Sequence, residues 1–194
     1  MKKRLEYIWL DGTSPTQQIR SKIKIHSFPD DSEKINPTSL PKWNFDGSSC
    51  EQGTTEDSDR ILIPVAMSYS PFPSSDFIVL CEVFKDSSTP HETNTRSKVC
   101  DLYRSLKDYV PMVGFEQEYI IREKEGNIAG WPNLGFPSPQ GQYYCAVGTG
   151  NVSERKLPEM HMTACLNAGL AYCGMNAEVR VDQIRTSPLS VGFL

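Results

Sequence analysis

The chain lacks most of the features that would assign it quickly. It has no run of 18 apolar residues, and apolar stretches such as Phe77 to Cys81 are a strand's length, which excludes a membrane-spanning helix. It lacks a strong charge bias: 20 Lys and Arg against 24 Asp and Glu leave a net −4, too little positive charge for a nucleic-acid phosphate footprint. With 38% hydrophobic residues, that modest charge also excludes a mainly disordered chain. Met1-Lys2-Lys3-Arg4 has the charge of a signal peptide's first segment, but Glu6 and Asp11 interrupt the apolar core that should follow, so a cytoplasmic protein is expected. The six cysteines (Cys50, Cys81, Cys100, Cys145, Cys165, Cys173) have no close pair of the zinc-site kind and are expected as buried free thiols. His26, His91 and His161 lack metal-pair spacing, and His161 reads as a packed helix histidine. Neither a Gly-x-Ser-x-Gly elbow nor a phosphate loop ending in Gly-Lys-Ser/Thr is present.

What is there is 194 residues, enough for one large or two small domains with a real core. The first ninety residues read as strands and loops. Arg4 to Leu10 stops at Asp11-Gly12, and Lys22 to Ile25 alternates polar with apolar, so the two look like neighbouring strands of a sheet with one wet face. After a polar loop from Phe28 to Lys42 come the short apolar island Trp43 to Phe45 and two further strand candidates, Ile61 to Ala66 and Phe77 to Phe84. Lys85 to Asn94 is polar, contains Pro90 and marks the boundary between a domain at 1–88 and a second at 89–194. Beyond it Val99, Leu102, Tyr103, Leu106 and Tyr109 fall at helical spacing, with Asn94 or Thr95 as N-cap and Pro111 as the stop, and this helix should lie on a sheet. Met112 to Ile121 reads as a strand, Glu125-Gly126-Asn127 as a hairpin turn, and Gly130 to Gly150 as irregular. A second helix starts near Pro158 and ends at Gly174, and Asn176 to Val181 is the last strand candidate.

Three places could carry chemistry. Within Phe115-Glu116-Gln117-Glu118-Tyr119, period two puts Glu116 and Glu118 on one face about 7 Å apart. Carboxylates at that separation repel by about 2 kcal/mol at an effective dielectric of 20, so a divalent metal, an Arg or Lys, or a shared proton should sit between them unless the face is simply wet. Mg²⁺ or Mn²⁺ would suit such oxygens best. Asp46-Gly47-Ser48-Ser49 can form a turn that gathers N–H groups and hydroxyls around one point, where the aspartate could hold a cation or take a proton. Glu178, in Asn176-Ala177-Glu178-Val179, could add a third oxygen ligand from a neighbouring strand, or belong to an ordinary charged face.

Taken together, Trp43-Asn44-Phe45-Asp46-Gly47-Ser48-Ser49, Glu56-Asp57-Ser58-Asp59, Gly114-Phe115-Glu116-Gln117-Glu118-Tyr119, Gly130-Trp131-Pro132, Gly135-Phe136-Pro137, Pro139-Gln140-Gly141, Tyr143-Tyr144-Cys145 and Asn176-Ala177-Glu178-Val179 closely resemble eukaryotic-type (type II) glutamine synthetase, in order and spacing, over about residues 7–179. The resemblance implies an α+β fold: an N-terminal β-grasp-like domain, then an incomplete catalytic domain with an antiparallel sheet and packed helices. It implies ATP-dependent ligation of ammonia to the γ-carboxylate of glutamate through γ-glutamyl phosphate, a reaction of nitrogen metabolism served by two Mg²⁺ or Mn²⁺ ions. By motif, Glu116 would ligate the metal nearer ATP, Glu118 and Glu178 the metal nearer glutamate, and Asp46 would bind ammonium and assist its deprotonation. Because the family presents that aspartate to a neighbouring subunit, a ring-shaped homo-oligomer is implied.

The sequence departs from the family in three ways. After Val179 the family continues Met-Pro-x-Gln-Trp-Glu-Phe-Gln, whose Glu completes a metal site; Arg185 stands at that offset here and would repel a cation, and Thr186 to Leu194 resembles nothing in the family. Roughly half the family's length, with its remaining ligands and phosphate-binding arginines, does not follow. Met112-Val113 replaces a Trp-Phe, and Pro158 interrupts the helix motif. The chain is accordingly expected to be inactive alone, with a non-catalytic assembly or regulatory subunit of a full-length homologue, or a truncated gene product, as the alternatives.

Overall fold

Alternation at period two builds the first unit, Met1–Tyr109, of a computed structural model that describes residues 1–29, 35–109, 113–148, 150–179 and 183–190, the last segment through its backbone. Strand β1 (Lys2–Leu10) buries Leu5, Tyr7 and Trp9, and β5 (Phe77–Phe84) buries Phe77, Val79, Cys81 and Val83 on the same face. With β2 (Ile19–Ser27), β3 (Trp43–Asp46) and β4 (Asp59–Tyr69) they form a five-stranded sheet in the order β2-β1-β5-β4-β3. The β1–β5 pair is parallel and the others antiparallel, the mixed sheet of the expected β-grasp-like domain. Each fully buried side chain of the Tyr7 and Leu62 size contributes about 1.5–3 kcal/mol, so this one layer carries most of the unit's stability. Pro64 has no N–H to donate and sits where the β4–β5 register shifts, a place a ladder tolerates it.

The β2 strand faces opposite to its apolar pattern. Lys24 pairs with Leu5 and Lys22 with Tyr7, so the lysines share the core face, while Ile23 pairs with Glu6 and Ile25 with Arg4 on the outer face. Ile25 is 58% exposed and Ile19 72%. The lysines are usable there because their ammonium groups sit over the Trp43 ring, Lys22 Nζ 3.7 Å and Lys24 Nζ 4.7 Å from its centroid, and Lys22 Nζ also donates to Asn44 O at 2.9 Å, linking β2 to β3.

Just past β1, Asp11 is fully buried and accepts from Gln18 N at 2.8 Å, Thr13 N at 3.0 Å, Thr13 Oγ1 at 2.9 Å and Arg20 Nε at 2.9 Å. Burial alone would raise its pKa, but these hydrogen bonds outweigh it and hold the carboxyl at about 2. A carboxylate whose folded pKa is depressed below the ordinary value near 3.9 stabilises the fold above about pH 4 and loses that contribution as pH falls toward about 2. Asp11→Asn is therefore expected to be less stable than wild type at pH 7 and to lose less further stability between pH 5 and 2, as urea unfolding at each pH will show.

Helix α1 (Thr95–Ser105) is capped as expected by Asn94, whose side chain accepts from Ser97 N at 3.2 Å. The expectation that it lies on a sheet fails: none of its residues is buried, and Leu102 is 60% exposed. Its expected stop, Pro111, lies outside the described residues.

The second unit, Val110–Leu194, differs from the sequence reading at several points. The single strand expected over Met112 to Ile121 is broken into β6 (Val113–Gly114) and β7 (Gln117–Ile120), Met112 lying outside the described residues. The Glu125-Gly126-Asn127 turn is present, with Glu123 N donating to Asn127 O at 2.8 Å and Gly126 at φ +90°, which glycine adopts without a Cβ clash. Helix α2 (Lys156–Asn167) has Pro158 in its first turn, where no N–H is needed, but stops at Gly169 (φ +80°) rather than at Gly174. Gly174 instead lies in β8 (Tyr172–Ala177), so the last strand expected from Asn176 begins earlier and ends before Glu178, with 180–182 outside the described residues. The largest correction is the tail: Gln183–Ser190 forms β9, which pairs antiparallel with β6 and β7 on one side and β8 on the other. Pro188 obscures that strand in the sequence, and it pairs where the β8–β9 register shifts. The core here is small, Ile121 and Ala129 with Tyr119 and Ala177 against them.

Candidate functional site

The Asp46 turn is built from both ends. Strand β3 delivers Asp46 to its last position, and a 3₁₀ turn over Gly47–Cys50 follows. The carboxylate accepts from Ser48 N at 2.9 Å and Ser48 Oγ at 2.6 Å through Oδ1, and from Ser49 Oγ at 3.5 Å through Oδ2. The hydrogen bond from the Ser48 hydroxyl, then that from its amide, lowers the Asp46 pKa. An exposed carboxylate so held is ionised at neutral pH and aimed in one direction, which suits it to hold a cation better than to keep a proton. The gathering of N–H and hydroxyl groups expected from Asp-Gly-Ser-Ser is thus present.

Behind the turn lies a clamp the sequence reading missed. Arg60, 4% exposed, donates through Nε to Gln52 O, through Nη1 to Asp59 O at 2.6 Å, and through both Nη atoms to the Asp57 carboxylate at 3.1 Å. It pins the loop that returns from the turn to β4. Gly47 N donates to Ser58 O at 2.7 Å, and Gly12 N to Cys50 O at 2.8 Å. A Cβ on Gly47 would come within 2.6 Å of Arg60 Cγ, so the turn and the arginine are fitted to each other. The available signal was Arg60 itself, a charged residue at a core-facing position of the alternating run Asp59-Arg60-Ile61-Leu62.

The other predicted residues lie in the second unit. Glu116 falls in the two-residue gap between β6 and β7 and Glu118 in β7; the pairing with β9 keeps one register across that gap. Both are exposed, in keeping with the wet-face alternative. Glu178 is half-buried just past β8, and Asn176 Nδ2 donates to its Oε1 at 3.0 Å. None of these three carboxylates is without a partner. The β9 strand puts Arg185 opposite Glu118 on one side and Asn176 on the other. Among the described residues no group of three or more His, Cys, Asp or Glu is arranged to hold a metal ion. His161 packs as expected, its Nδ1 3.3 Å from the Tyr119 hydroxyl. The thiols are free, but only Cys50 and Cys81 are buried; Cys145 and Cys173 are exposed. No helix of the described residues is long and apolar enough to cross a membrane.

A mixed β-grasp sheet that ends in a capped Asp-Gly-Ser-Ser turn, joined to an antiparallel sheet, defines the class. Residues 1–86 match the β-grasp domain of glutamine synthetase. The chain is 42% identical over 181 residues to a glutamine synthetase of Streptomyces viridochromogenes, an alignment covering 93% of this chain and 51% of that protein. It is 43% identical over 178 residues to glutamine synthetase of Homo sapiens (91% and 46%) and 40% identical over 178 residues to the protein named glutamine synthetase 2 cytoplasmic of Drosophila melanogaster (91% and 47%). The chain thus resembles the N-terminal half of glutamine synthetases along nearly its whole length, and spans about half the length of the curated relatives it matches.

Proposed function

We propose that the chain carries the β-grasp domain and the first part of the catalytic sheet of a cytoplasmic glutamine synthetase, which joins ammonia to the glutamate γ-carboxylate through γ-glutamyl phosphate at the expense of ATP. The observation that carries this reading is the Asp46 turn: an ionised, oriented, water-facing carboxylate on a rigid loop is what a domain needs in order to offer ammonium to a site. Its lowered pKa assigns Asp46 to binding and orienting the cation, with charge-assisted hydrogen bonds holding the ammonium. Glu116 remains the residue proposed nearest ATP.

The second unit's residues do not fit the Mg²⁺ or Mn²⁺ ions that accompany this reaction in the family. Glu118 and Glu178 are carboxylates suited to such ions, but the register position beside Glu118 belongs to an arginine. No catalytic step is therefore routed through a metal, and the 194-residue chain is proposed not to turn over by itself.

The test is a chimera of residues 1–86 with the remainder of human glutamine synthetase, assayed for γ-glutamyl hydroxamate. It is expected to be active, and Asp46→Asn within it to lose about 10²-fold or more, the loss typical of removing one oriented electrostatic group. The unaltered chain with ATP and Mg²⁺ or Mn²⁺ is expected to form none. An active chimera indifferent to Asp46→Asn would sink the assignment of Asp46, and robust turnover by the chain alone would sink its inactivity.

A second reading, a non-catalytic assembly or regulatory subunit in a homo-oligomer or in rings of a full-length homologue, is favoured by the exposed outer face carrying Ile19, Ile23 and Ile25. Co-purification with a full-length enzyme supports it, and a strictly monomeric chain counts against it.

A further inference from the structure

His91 is 4% exposed and stands at the far end of a hydrogen-bonded chain from the Asp46 turn. Its Nδ1 is 2.9 Å from Thr93 Oγ1 and accepts from Thr93 N at 3.3 Å. Thr93 Oγ1 accepts from Gln52 Nε2 at 2.8 Å, and Gln52 N donates to Gly47 O at 2.8 Å, which ties it to the 3₁₀ turn that follows Asp46. Gln52 is 1% exposed, and its Nε2 also donates to Leu10 O at 3.1 Å. These contacts fix the protonation of the ring. With the Thr93 amide aimed at Nδ1, a proton on that atom would face another donor, so Nδ1 accepts and the single ring proton belongs on Nε2, 3.6 Å from Glu92 Oε2. A second proton has nowhere to go but Nδ1. There it would evict the Thr93 amide and turn the hydrogen of the Thr93 hydroxyl away from the ring.

We propose that His91 is a positioning residue for the Asp46 turn and makes the aim of that turn acid-sensitive: the neutral ring holds Thr93 against Gln52, and the imidazolium releases them. Burial is the largest influence keeping the ring neutral, and Arg60 and Lys85 add to it. Glu92 and a backbone hydrogen bond with Gln52 favour the cation without prevailing, so the His91 pKa is lowered. Glu92 is itself engaged by Lys85 Nζ at 2.7 Å, and Asp57, which also feels the His91 charge, by Arg60 at 3.1 Å. A histidine whose folded pKa lies below the ordinary 6.5 contributes stability that is complete above that pH and is lost as pH falls through the folded value. Acid therefore acts first on the Thr93 and Gln52 contact, and through it on the turn. The assignment of Asp46 to ammonium gives this switch its consequence, weaker ammonium binding in acid, but not its geometry.

The test is nuclear magnetic resonance of the full chain from pH 8 to pH 5, the range in which histidine changes charge. Wild type is expected to show His91 as the Nε2–H tautomer at pH 8, a ring midpoint below 6.5, and Ser48 and Ser49 amide shifts that move with that midpoint. Asp46, its own pKa lowered, titrates outside this range. His91→Gln is expected to leave the two amides unmoved, and Thr93→Val to let the ring titrate while the amides stay still. The proposal is overturned by an Nδ1–H tautomer, by a ring midpoint at or above 6.5, by a ring still neutral at pH 5, or by amides that do not follow the ring or that move equally in either variant. If a variant fails to fold, the wild-type titration decides alone. The chimera joins after residue 86 and carries no His91, so an inactive chimera leaves this titration standing, and a failed titration leaves the Asp46 assay standing.

Discussion

Arg60→Ala is expected to lower the unfolding free energy of the first unit by about 2–4 kcal/mol, the cost of leaving two carbonyl acceptors without their donor. The ion pair itself contributes little, since the Asp57 side chain is 77% exposed and exposed pairs are worth about 0–1 kcal/mol. The larger loss comes from the buried end: Gln52 O and Asp59 O lose their donor, and the space vacated adjoins Gly47. Arg60→Lys keeps the charge but not the fork that reaches two carbonyls and a carboxylate, so it should recover only part of the stability. Urea unfolding followed by tryptophan fluorescence measures both, Trp9 and Trp43 being part of this core or packed on it. Hydrogen exchange should show the 47–58 loop opening first. If Arg60→Ala unfolds within about 1 kcal/mol of wild type, the loop is held by its backbone bonds alone, each worth about that much.

Gly12→Ala is the second large effect, at about 3 kcal/mol or more, the upper end for forcing one carbon into filled space. An ideal Cβ at Gly12 would lie 1.9 Å from Glu51 O and 2.6 Å from Glu51 C. The obstacle is backbone, not the end of a flexible side chain. Glu51 has little freedom to retreat because it already sits at φ +54° and caps the 3₁₀ turn through its N–H to Gly47 O. The substitution must therefore separate the Asp11-Gly12 corner from the Cys50-Glu51 corner and break the Gly12 N to Cys50 O bond. Its signature is coupling: amide shifts at Ser48 and Ser49 should move with the loss of stability, because the same turn orients Asp46. A Gly12→Ala chain with wild-type stability and unmoved Ser48 and Ser49 amides would show that the two corners are not in contact.

Some of this was legible in the sequence because it depends on neighbours a few residues apart. The limits of β5, the Asn94 cap, the Gly126 hairpin and the hydroxyl-lined Asp46 turn are local geometries with local signals. Other features were legible only as anomalies. Arg60 is a charge at a core-facing position that the sequence reading passed over, and only Gln52 and Asp57 coming round to meet it give it a role. Arg185 was visible as a charge at an unsuitable offset, yet the strand that carries it was hidden by Pro188 and by a tail without family likeness.

By itself the sequence determined that this is a β-rich chain resembling glutamine synthetases with an Asp-Gly-Ser-Ser turn, because alternation and turn chemistry act over two to five residues. Only the tertiary structure decided which face each alternating strand buries. Lys22 and Lys24 share the core side of β2 and the isoleucines do not, since pairing with Leu5 and Tyr7 sets the register and Trp43 supplies a ring face for the two ammonium groups. It was also tertiary pairing that set Arg185 between Glu118 and Asn176, residues 67 and 9 positions away in the chain. Cross-strand partners follow from hydrogen-bond register, and no local pattern encodes which distant residue will stand opposite.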